Sequence, residues 1–212
     1  LDMQTESINE RLVQISRKAA PKCLIAGSMT TLAGVIDTRS KTCFPEMVRQ
    51  YRRQIKGINA GGADLIVGET LLSSSDARAI LLAAKEEQAG SVMLSFALRE
   101  DGKLRSGENA RNVFEMFKQE GLLALGVNCV AATDVLPELI RQLKTYTSLP
   151  LICKPNAGIP TINAEGIAVY SQTPEEFGGI LRQCRDNGAT ILGGCCGTSP
   201  DYIAEIRKLV KN

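Results

Sequence analysis

The sequence predicts an α/β fold in which short parallel strands alternate with helices. Its 212 residues are 44% apolar and 23% charged, the composition of a globular protein with ample material for a core. Apolar, β-branched runs alternate along the chain with longer amphipathic segments. This alternation indicates right-handed βαβ units, which build a parallel sheet. Neither a linker nor a low-complexity run interrupts it, so we expect a single domain over residues 1–212.

The first part of the chain predicts three strands, each preceded by a helix. Residues 3–20 predict a helix because apolar side chains recur among charged ones at helical spacing. The next helix, 45–60, begins at Pro45, a favoured first-turn residue, and ends before two glycines. The third helix is predicted at 74–88, and the strands at 23–27, 64–67 and 92–97.

The second part of the chain continues the same alternation. Helices are predicted at 108–120, 134–146 and 174–187, and strands at 123–127, 150–153 and 190–192. A long loop follows strand 150–153, and a final helix begins near residue 199 with Pro200 in its first turn. The sequence therefore predicts six strands and seven helices in all.

Two parallel architectures fit this pattern, and the position of the unusual residues favours one of them. A doubly wound nucleotide-binding fold would carry a G-x-G-x-x-G segment after its first strand, and the sequence contains neither this segment nor a phosphate-binding P-loop. A (β/α)8 TIM barrel places its chemistry at the carboxyl ends of its strands. The unusual residues lie at those ends: Gly27-Ser28, Glu69-Thr70, Asn128-Cys129, Asn156 and Gly193–Gly197. We therefore predict a TIM barrel with only six of its eight strands visible.

The composition excludes several classes of function. Histidine is absent, which removes Ser-His and Cys-His nucleophile pairs and histidine-ligated metals. The seven cysteines, an odd number without a signal peptide, indicate reduced thiols in the cytoplasm. No apolar run is long enough to span a membrane. A net charge of +2 with scattered basic residues predicts no nucleic-acid partner.

The strongest local signal is the segment Gly193-Gly194-Cys195-Cys196-Gly197. Consecutive strand residues point to opposite faces, but flanking glycines allow a backbone that brings both sulfurs together. Cys129 follows strand 123–127 at an equivalent place, and three thiolates would supply three of the four positions of a catalytic zinc site. Its position in the sequence alone gives little basis for choosing Cys129 as the third ligand. A redox role for Cys195 and Cys196 is the other functional interpretation. We expect the remaining cysteines to be small, buried apolar residues: Cys23, Cys43, Cys153 and Cys184.

Three longer segments resemble the zinc-dependent homocysteine S-methyltransferase family. They are Gly126-Val127-Asn128-Cys129, Lys154-Pro155-Asn156-Ala157-Gly158-Ile159-Pro160 and Gly193-Gly194-Cys195-Cys196-Gly197-Thr198-Ser199-Pro200. Ala26-Gly27-Ser28 and the segment 62–70 resemble further signatures of the family in the same order. The resemblance runs through the whole chain and implies a TIM barrel, in agreement with the positions of the strand ends.

The resemblance also implies roles for individual residues. Cys129, Cys195 and Cys196 would be the Zn²⁺ ligands, and Glu69 would hold the ammonium group of the amino acid substrate. The remaining candidates for the substrate pocket are Asn156, which could also contact the metal, Asn128 and Ser28. Family members carry two further strands before the region matched here, so we expect the first two barrel strands to be missing from this chain. A second chain or segment would then complete the barrel.

The implied function is methyl transfer to the thiol of homocysteine, which yields methionine. Zinc would deprotonate the substrate thiol without a histidine base. Relatives take the methyl group from S-methylmethionine, S-adenosylmethionine, betaine, or a methylated corrinoid or folate, and no motif in this sequence selects one of them. Two alternatives stay open: a thiol redox protein that uses Cys195 and Cys196, and a non-catalytic zinc-binding remnant or subunit.

Overall fold

The computed structural model of the protein describes residues 4–36, 43–99 and 101–210. The chain forms two compact units, Leu1–Leu94 and Ser95–Asn212. Met3, where the first helix is predicted to begin, lies outside the described residues. The single domain expected over residues 1–212 stays a prediction. Among the described helices, none is both long and apolar enough to cross a membrane.

The first unit alternates helices and strands as predicted. Its elements are α1 (Thr5–Ala19), β1 (Ala26–Met29), α2 (Cys43–Ala60), β2 (Leu65–Leu71), α3 (Ser74–Glu86) and the start of β3 (Ser91–Phe96). The strand order is β1-β2-β3, and β1 pairs in parallel with β2 from Ala26 opposite Leu65 to Met29 opposite Gly68. Parallel pairing brings the carboxyl ends of the two strands to the same edge, where Ser28 and Glu69 lie.

The core of the first unit includes one buried carboxylate. Asp76, at the start of α3, is 2% exposed. It accepts hydrogen bonds from the hydroxyl groups of Ser73, Thr31 and Tyr51 at 2.9, 3.0 and 3.2 Å. Burial of the phenol and the nearby charge of Asp76 raise the pKa of Tyr51 far above its usual range. These bonds fix the loop after β1 to α2 and α3.

The second unit has the same parallel arrangement. Its elements after β3 are α4 (Ala110–Phe117), β4 (Ala124–Ala131), α5 (Leu136–Lys144), β5 (Leu151–Asn156), β6 (Thr161–Ile162), β7 (Ala168–Val169), α6 (Pro174–Asp186), β8 (Ile191–Leu192) and α7 (Pro200–Leu209). The strand order is β4-β5-β8, with Leu125 opposite Leu151 and Ile152 opposite Ile191. The carboxyl ends of β4, β5 and β8 therefore meet at one edge.

The six predicted strands and seven predicted helices are all present, and several boundaries differ in detail. β2 and β4 run past their predicted ends at residues 67 and 127, so Glu69 and Cys129 lie within these strands rather than after them. The first strand begins at Ala26 rather than residue 23, and both Cys23 and Leu24, expected to be buried, are exposed. Of the other cysteines expected to be buried, Cys153 and Cys184 are buried and Cys43 is half-buried. Pro45 lies in the first turn of α2 but not at its first described residue, Cys43. The long loop after β5 contains the antiparallel hairpin β6-β7, whose paired residues are all exposed and so leave no burial pattern in the sequence.

Candidate metal and substrate site

Three cysteine thiols converge at the carboxyl edge of the second unit. Cys129 lies near the end of β4, and two glycines separate Cys195 and Cys196 from the end of β8. The Sγ atoms of Cys129 and Cys196 are 3.8 Å apart, and those of Cys195 and Cys196 are 4.0 Å apart. All three sulfurs lie within 4.8 Å of one another, and all three thiols are free.

The spacing of the three sulfurs fits a zinc ion. Tetrahedral zinc with Zn–S bonds of about 2.3 Å places its sulfur ligands about 3.8 Å apart. A disulfide requires sulfurs only about 2.05 Å apart, so the observed geometry is that of a ligand triangle and not of a bonded pair. Three thiolates leave the fourth tetrahedral position for an exogenous ligand. The residues present can therefore hold zinc in an open site.

The loop that carries two of the thiols is bonded to the end of β5. The backbone N–H of Cys195 donates to the carbonyl oxygen of Pro155 at 2.8 Å. The backbone N–H of Cys196 donates to Oδ1 of Asn156 at 3.0 Å, and the N–H of Ala157 donates to the carbonyl oxygen of Cys196 at 2.9 Å. Because these bonds extend beyond the two-residue β8, the Cys195-Cys196 turn is fixed against the edge of the sheet.

The glycines around the two cysteines are required because neighbouring side chains lie too close to their Cα atoms to admit a Cβ atom. A Cβ atom on Gly194 would lie 2.4 Å from Oγ1 of Thr198, which itself donates to the carbonyl oxygen of Cys195 at 2.7 Å. Gly197 has φ of +79°, and a Cβ atom there would lie 2.3 Å from the ring of Tyr170. Larger residues at either position would push the turn away from β5.

Cys129 reaches the same place through an irregularity in β4. The pairing of β4 with β5 shifts its register between Asn128 and Ala131, and Cys129 has φ of +56°. In a regular strand, Asn128 and Cys129 would point to opposite faces. The bulge turns both toward the loop after β8, with Nδ2 of Asn128 3.7 Å from the Cys195 sulfur.

A hydrogen bond from Ser95 fixes the orientation of the Asn128 side chain. The side chains of Asn128 and Ser95 are both fully buried. Oγ of Ser95 donates to Oδ1 of Asn128 at 2.8 Å, which directs the amide N–H₂ toward the Cys195 sulfur. Sequence reasoning missed Ser95, because a serine inside a predicted strand carries no distinguishing signal.

Hydrogen bonds within the cluster shift the pKa values of Cys195 and Cys129 in opposite directions. The bond from the Cys129 thiol, helped by the Asn128 amide, lowers the pKa of Cys195 to about 5. The same bond to Cys195, with partial burial, raises the pKa of Cys129 well above its usual range. Burial and the neighbouring Cys196 raise the pKa of Tyr170, another residue that sequence reasoning missed. The cluster therefore favours a thiolate at Cys195.

The predicted substrate residues fall into two groups. In the first unit, Oγ of Ser28 donates to Oε1 of Glu69 at 2.6 Å, at the carboxyl ends of β1 and β2. In the second unit, Asn128 and Asn156 lie beside the thiols and bond to Cys195 and Cys196 respectively. Asn156 is 8% exposed, and its amide oxygen accepts the backbone N–H of Cys196 in the Cys195-Cys196 turn.

The chain as a whole matches a known family of methyltransferases. The sequence matches the homocysteine S-methyltransferase family over residues 1–210, and the chain belongs to this family.

Among solved structures, the chain is similar to the homocysteine methyltransferase MmuM from Escherichia coli. Against its apo form the TM-score is 0.78 at 24% identity, covering 99% of this chain and 74% of that one. Against the metallated form the TM-score is 0.79 at 25% identity, covering 96% and 70%. A methyltransferase from Methanosarcina mazei matches with a TM-score of 0.60 at 13% identity, covering 95% and 64%. These matches confirm the predicted α/β fold class of the TIM-barrel type, and the chain spans 70 to 74% of the length of MmuM.

Proposed function

We propose that the protein catalyses zinc-dependent methyl transfer to the thiol of homocysteine, giving methionine. Membership of the homocysteine S-methyltransferase family supports homocysteine as the acceptor. The observation that carries the zinc part of the proposal is the triangle of Cys129, Cys195 and Cys196, whose closest sulfurs are 3.8 and 4.0 Å apart. The metallated form of a similar enzyme, MmuM, supports the same reading.

Cys129, Cys195 and Cys196 would hold the zinc ion. Bound zinc supplies one piece of chemistry: it favours the thiolate form of an alkyl thiol, whose pKa of about 8.5 otherwise keeps it mostly protonated at neutral pH. This suits a chain that contains no histidine to act as a base. In the reaction the homocysteine S–H bond gives up its proton, a carbon–sulfur bond forms, and the bond between the donor and its methyl group breaks.

Residues around the thiols have positioning roles in this proposal. The N–H₂ of Asn128 reduces the negative charge on the Cys195 sulfur, and Asn156 fixes the backbone of Cys196. Glu69, held by Ser28, binds the ammonium group of homocysteine. The donor is a small molecule or a methylated corrinoid or folate, so the activity screen includes S-methylmethionine, S-adenosylmethionine, betaine, methylcobalamin and a methylated folate.

The first experiment measures zinc content and methyl transfer for the reduced protein beside its Cys195→Ser variant. We expect about one zinc per chain in the wild type, since three thiolates form one site. The variant should lose both the zinc and the methionine formed from homocysteine. Cys23→Ser is the matched control, because Cys23 is exposed and outside the cluster, and it should keep both.

The same experiment separates the alternatives. A folded wild-type protein that takes up no zinc and cycles reversibly between dithiol and disulfide would contradict the proposal and favour a redox protein. A protein that holds zinc through these cysteines but transfers no methyl group from any donor would be a zinc-binding remnant or subunit. Full methyl transfer in Cys195→Ser would exclude the thiol cluster as the reactive centre.

A further inference from the structure

We propose that a left-handed turn of the backbone at Thr70 positions Glu69 to bind the ammonium group of the amino acid substrate. This inference rests on the proposed function, which assigns that binding role to Glu69. Thr70 lies in β2 and has φ of +54°. Residues other than glycine rarely adopt positive φ, and a β-branched residue does so at a steric cost. Such a conformation persists only where the surrounding structure imposes it, commonly at a functional site.

The other left-handed residues in the described part of the chain have a clear reason for this conformation. Apart from glycines and Thr70, they are Gln88 and Cys129, with φ of +50° and +56°. Gln88 follows the C-cap of α3, where a left-handed residue commonly ends a helix. Cys129 directly follows Asn128 in β4 and belongs to the thiol cluster. Thr70 follows Glu69 in the same way, so β2 and β4 each have a left-handed residue directly after a candidate site residue.

The faces of β2 show what the turn does. Gly68 faces the helices, because a Cβ atom there would lie 2.9 Å from Cδ1 of Ile80 in α3. In a regular strand Thr70 would share this face, and Leu71 would point the other way. Instead Leu71 is fully buried, and the same Cβ atom would lie 3.4 Å from its Cδ1. The left-handed residue therefore turns Leu71 to the helix side.

The carboxylate of Glu69 stays on the opposite face. Ser28 of β1 is the register partner of Val67, and partners in parallel strands share a face. Glu69 comes two residues after Val67 and accepts a hydrogen bond from Oγ of Ser28 at 2.6 Å on that face. Glu69 and Thr70 are both half-buried, although the residues on either side of them are buried. The end of β2 thus leaves the carboxylate partly open to solvent.

Negative φ at Thr70 would undo this arrangement. An extended backbone there would return the apolar side chain of Leu71 to the face of Glu69. A carboxylate binds an ammonium group through charge-assisted hydrogen bonds, which need free oxygen atoms and correct alignment. The turn keeps an apolar side chain away from these oxygens. The backbone conformation at residue 70, rather than the threonine side chain, therefore determines how well Glu69 binds.

The test measures the binding of two thiols to zinc-loaded protein by calorimetry. Homocysteine carries the ammonium group, and 4-sulfanylbutanoate has the same chain and carboxylate without it. The wild type should bind homocysteine roughly 10- to 100-fold more tightly, the usual worth of hydrogen bonds to a charged group. Thr70→Pro, in which the ring fixes φ at about −65°, should lose this preference and keep its affinity for 4-sulfanylbutanoate.

Two glycine variants separate the backbone from the side chain. Thr70→Gly removes the whole side chain but adopts positive φ without strain, so it should retain most of the preference for homocysteine. Gln88→Gly is the matched control, because Gln88 is exposed and has φ of +50°, and it should alter neither affinity. Loss of the preference in Thr70→Gly would overturn the inference, including in the case where Thr70→Pro fails to fold.

The outcomes separate this inference from the proposed function. Glu69→Gln removes the charge of the carboxylate and should lose the preference for homocysteine. Loss of the preference in Glu69→Gln, but not in folded Thr70→Pro, would overturn the role of the turn and leave the proposed function intact. A zinc-loaded wild type that fails to bind homocysteine would contradict both. Circular dichroism and zinc content of each variant establish that the fold and the thiol cluster persist.

Discussion

Asn128 occupies the most constrained position among the residues beside the thiols. Its amide is fully buried, and its two ends have different partners: Oδ1 accepts from Ser95 and Nδ2 donates to Cys195. Because Ser95 fixes which end faces the sulfur, the serine acts on the thiol cluster without touching it. Groups that orient metal ligands in this way commonly change metal affinity when they are replaced.

Replacing Asn128 should therefore weaken zinc binding without unfolding the protein. We expect Asn128→Leu to lower zinc affinity by roughly 10- to 100-fold, because the Cys195 thiolate loses its N–H donor. Ser95→Ala should cause a smaller loss, since the amide keeps its position but loses the bond that orients it. Competition with a chromophoric chelator measures both values. Zinc affinity equal to that of the wild type in Asn128→Leu would remove the amide from the metal site.

How far the candidate site could be predicted differs from residue to residue. Glycines on either side of Cys195 and Cys196 predict an unusual backbone conformation, and the structure has such a conformation at this turn. Cys129 has no adjacent glycine, and its left-handed φ of +56° arises from the register shift between β4 and β5. Register depends on contacts between strands distant in sequence, so local patterns predict neither this bulge nor the part played by Ser95.

At the scale of single elements, the most predictable helices are those that begin with strong local signals. α6 starts with a reciprocal pair of hydrogen bonds. Oγ1 of Thr173 accepts from the N–H of Glu176 at 3.3 Å, and the Glu176 carboxylate accepts from the N–H of Thr173 at 2.8 Å. Pro174 occupies the first turn, where its missing N–H has no cost. The predicted start at residue 174 is confirmed.

Removing this cap should destabilise the protein measurably. Thr173→Ala should lower the free energy of unfolding by about 1 kcal/mol, because the first turn of α6 loses a side-chain acceptor. Urea denaturation followed by circular dichroism measures the change. Ser171→Ala removes an exposed hydroxyl group two residues upstream and is the matched control, with no expected effect. Equal stability of Thr173→Ala and wild type would indicate that α6 is held by packing alone.

The element that sequence reasoning missed and the strand start that it shifted have different causes. The hairpin β6-β7 has two residues in each strand, all exposed, so no alternation between apolar and polar residues marks it. The apolar run at Leu24-Ile25 resembles a strand, yet Ile25 bonds to the side chain of Asp64 at 2.6 Å, and strand pairing starts only at Ala26. Patterns of hydrophobicity predict elements through burial, and they weaken where side chains lie in solvent.

At the scale of the whole molecule, Asp64 links stability to pH. Its carboxylate accepts hydrogen bonds from the backbone N–H of Ile25 and from Arg17, both at 2.6 Å. The bond from Ile25, followed by that from Arg17, lowers the pKa of Asp64 below its usual 3.8. A carboxyl group whose pKa is lower in the folded state stabilises that state above the unfolded pKa, and this contribution disappears as pH falls through the folded pKa.

Asp64→Asn should accordingly be less stable than the wild type at pH 7. The difference should shrink as the pH falls below about 3.8, where the wild-type carboxylate also becomes protonated. Urea denaturation at a series of pH values measures the two curves. Glu120→Gln neutralises an exposed carboxylate and should run parallel to the wild type throughout. A constant difference between Asp64→Asn and wild type at all pH values would contradict the linkage.

The family match extends over residues 1–210, so nearly the whole sequence carries the features of the family. Fold class followed from alternation of elements and from strand-end residues, both of which are local. The exact register of β4 on β5 and the convergence of residues from distant segments follow from tertiary packing, which one sequence does not contain.

The separation of the three thiols along the chain has a mechanical consequence. Cys129 and Cys196 are 67 positions apart, yet their sulfurs are 3.8 Å from each other. A metal ion bound by both cysteines would close a long loop of polypeptide and act as a reversible crosslink. Such a crosslink restricts the unfolded chain much as a disulfide does. A chelator would remove this crosslink without breaking any bond of the polypeptide. The resistance of this protein to heat and to proteases would therefore depend on the supply of metal.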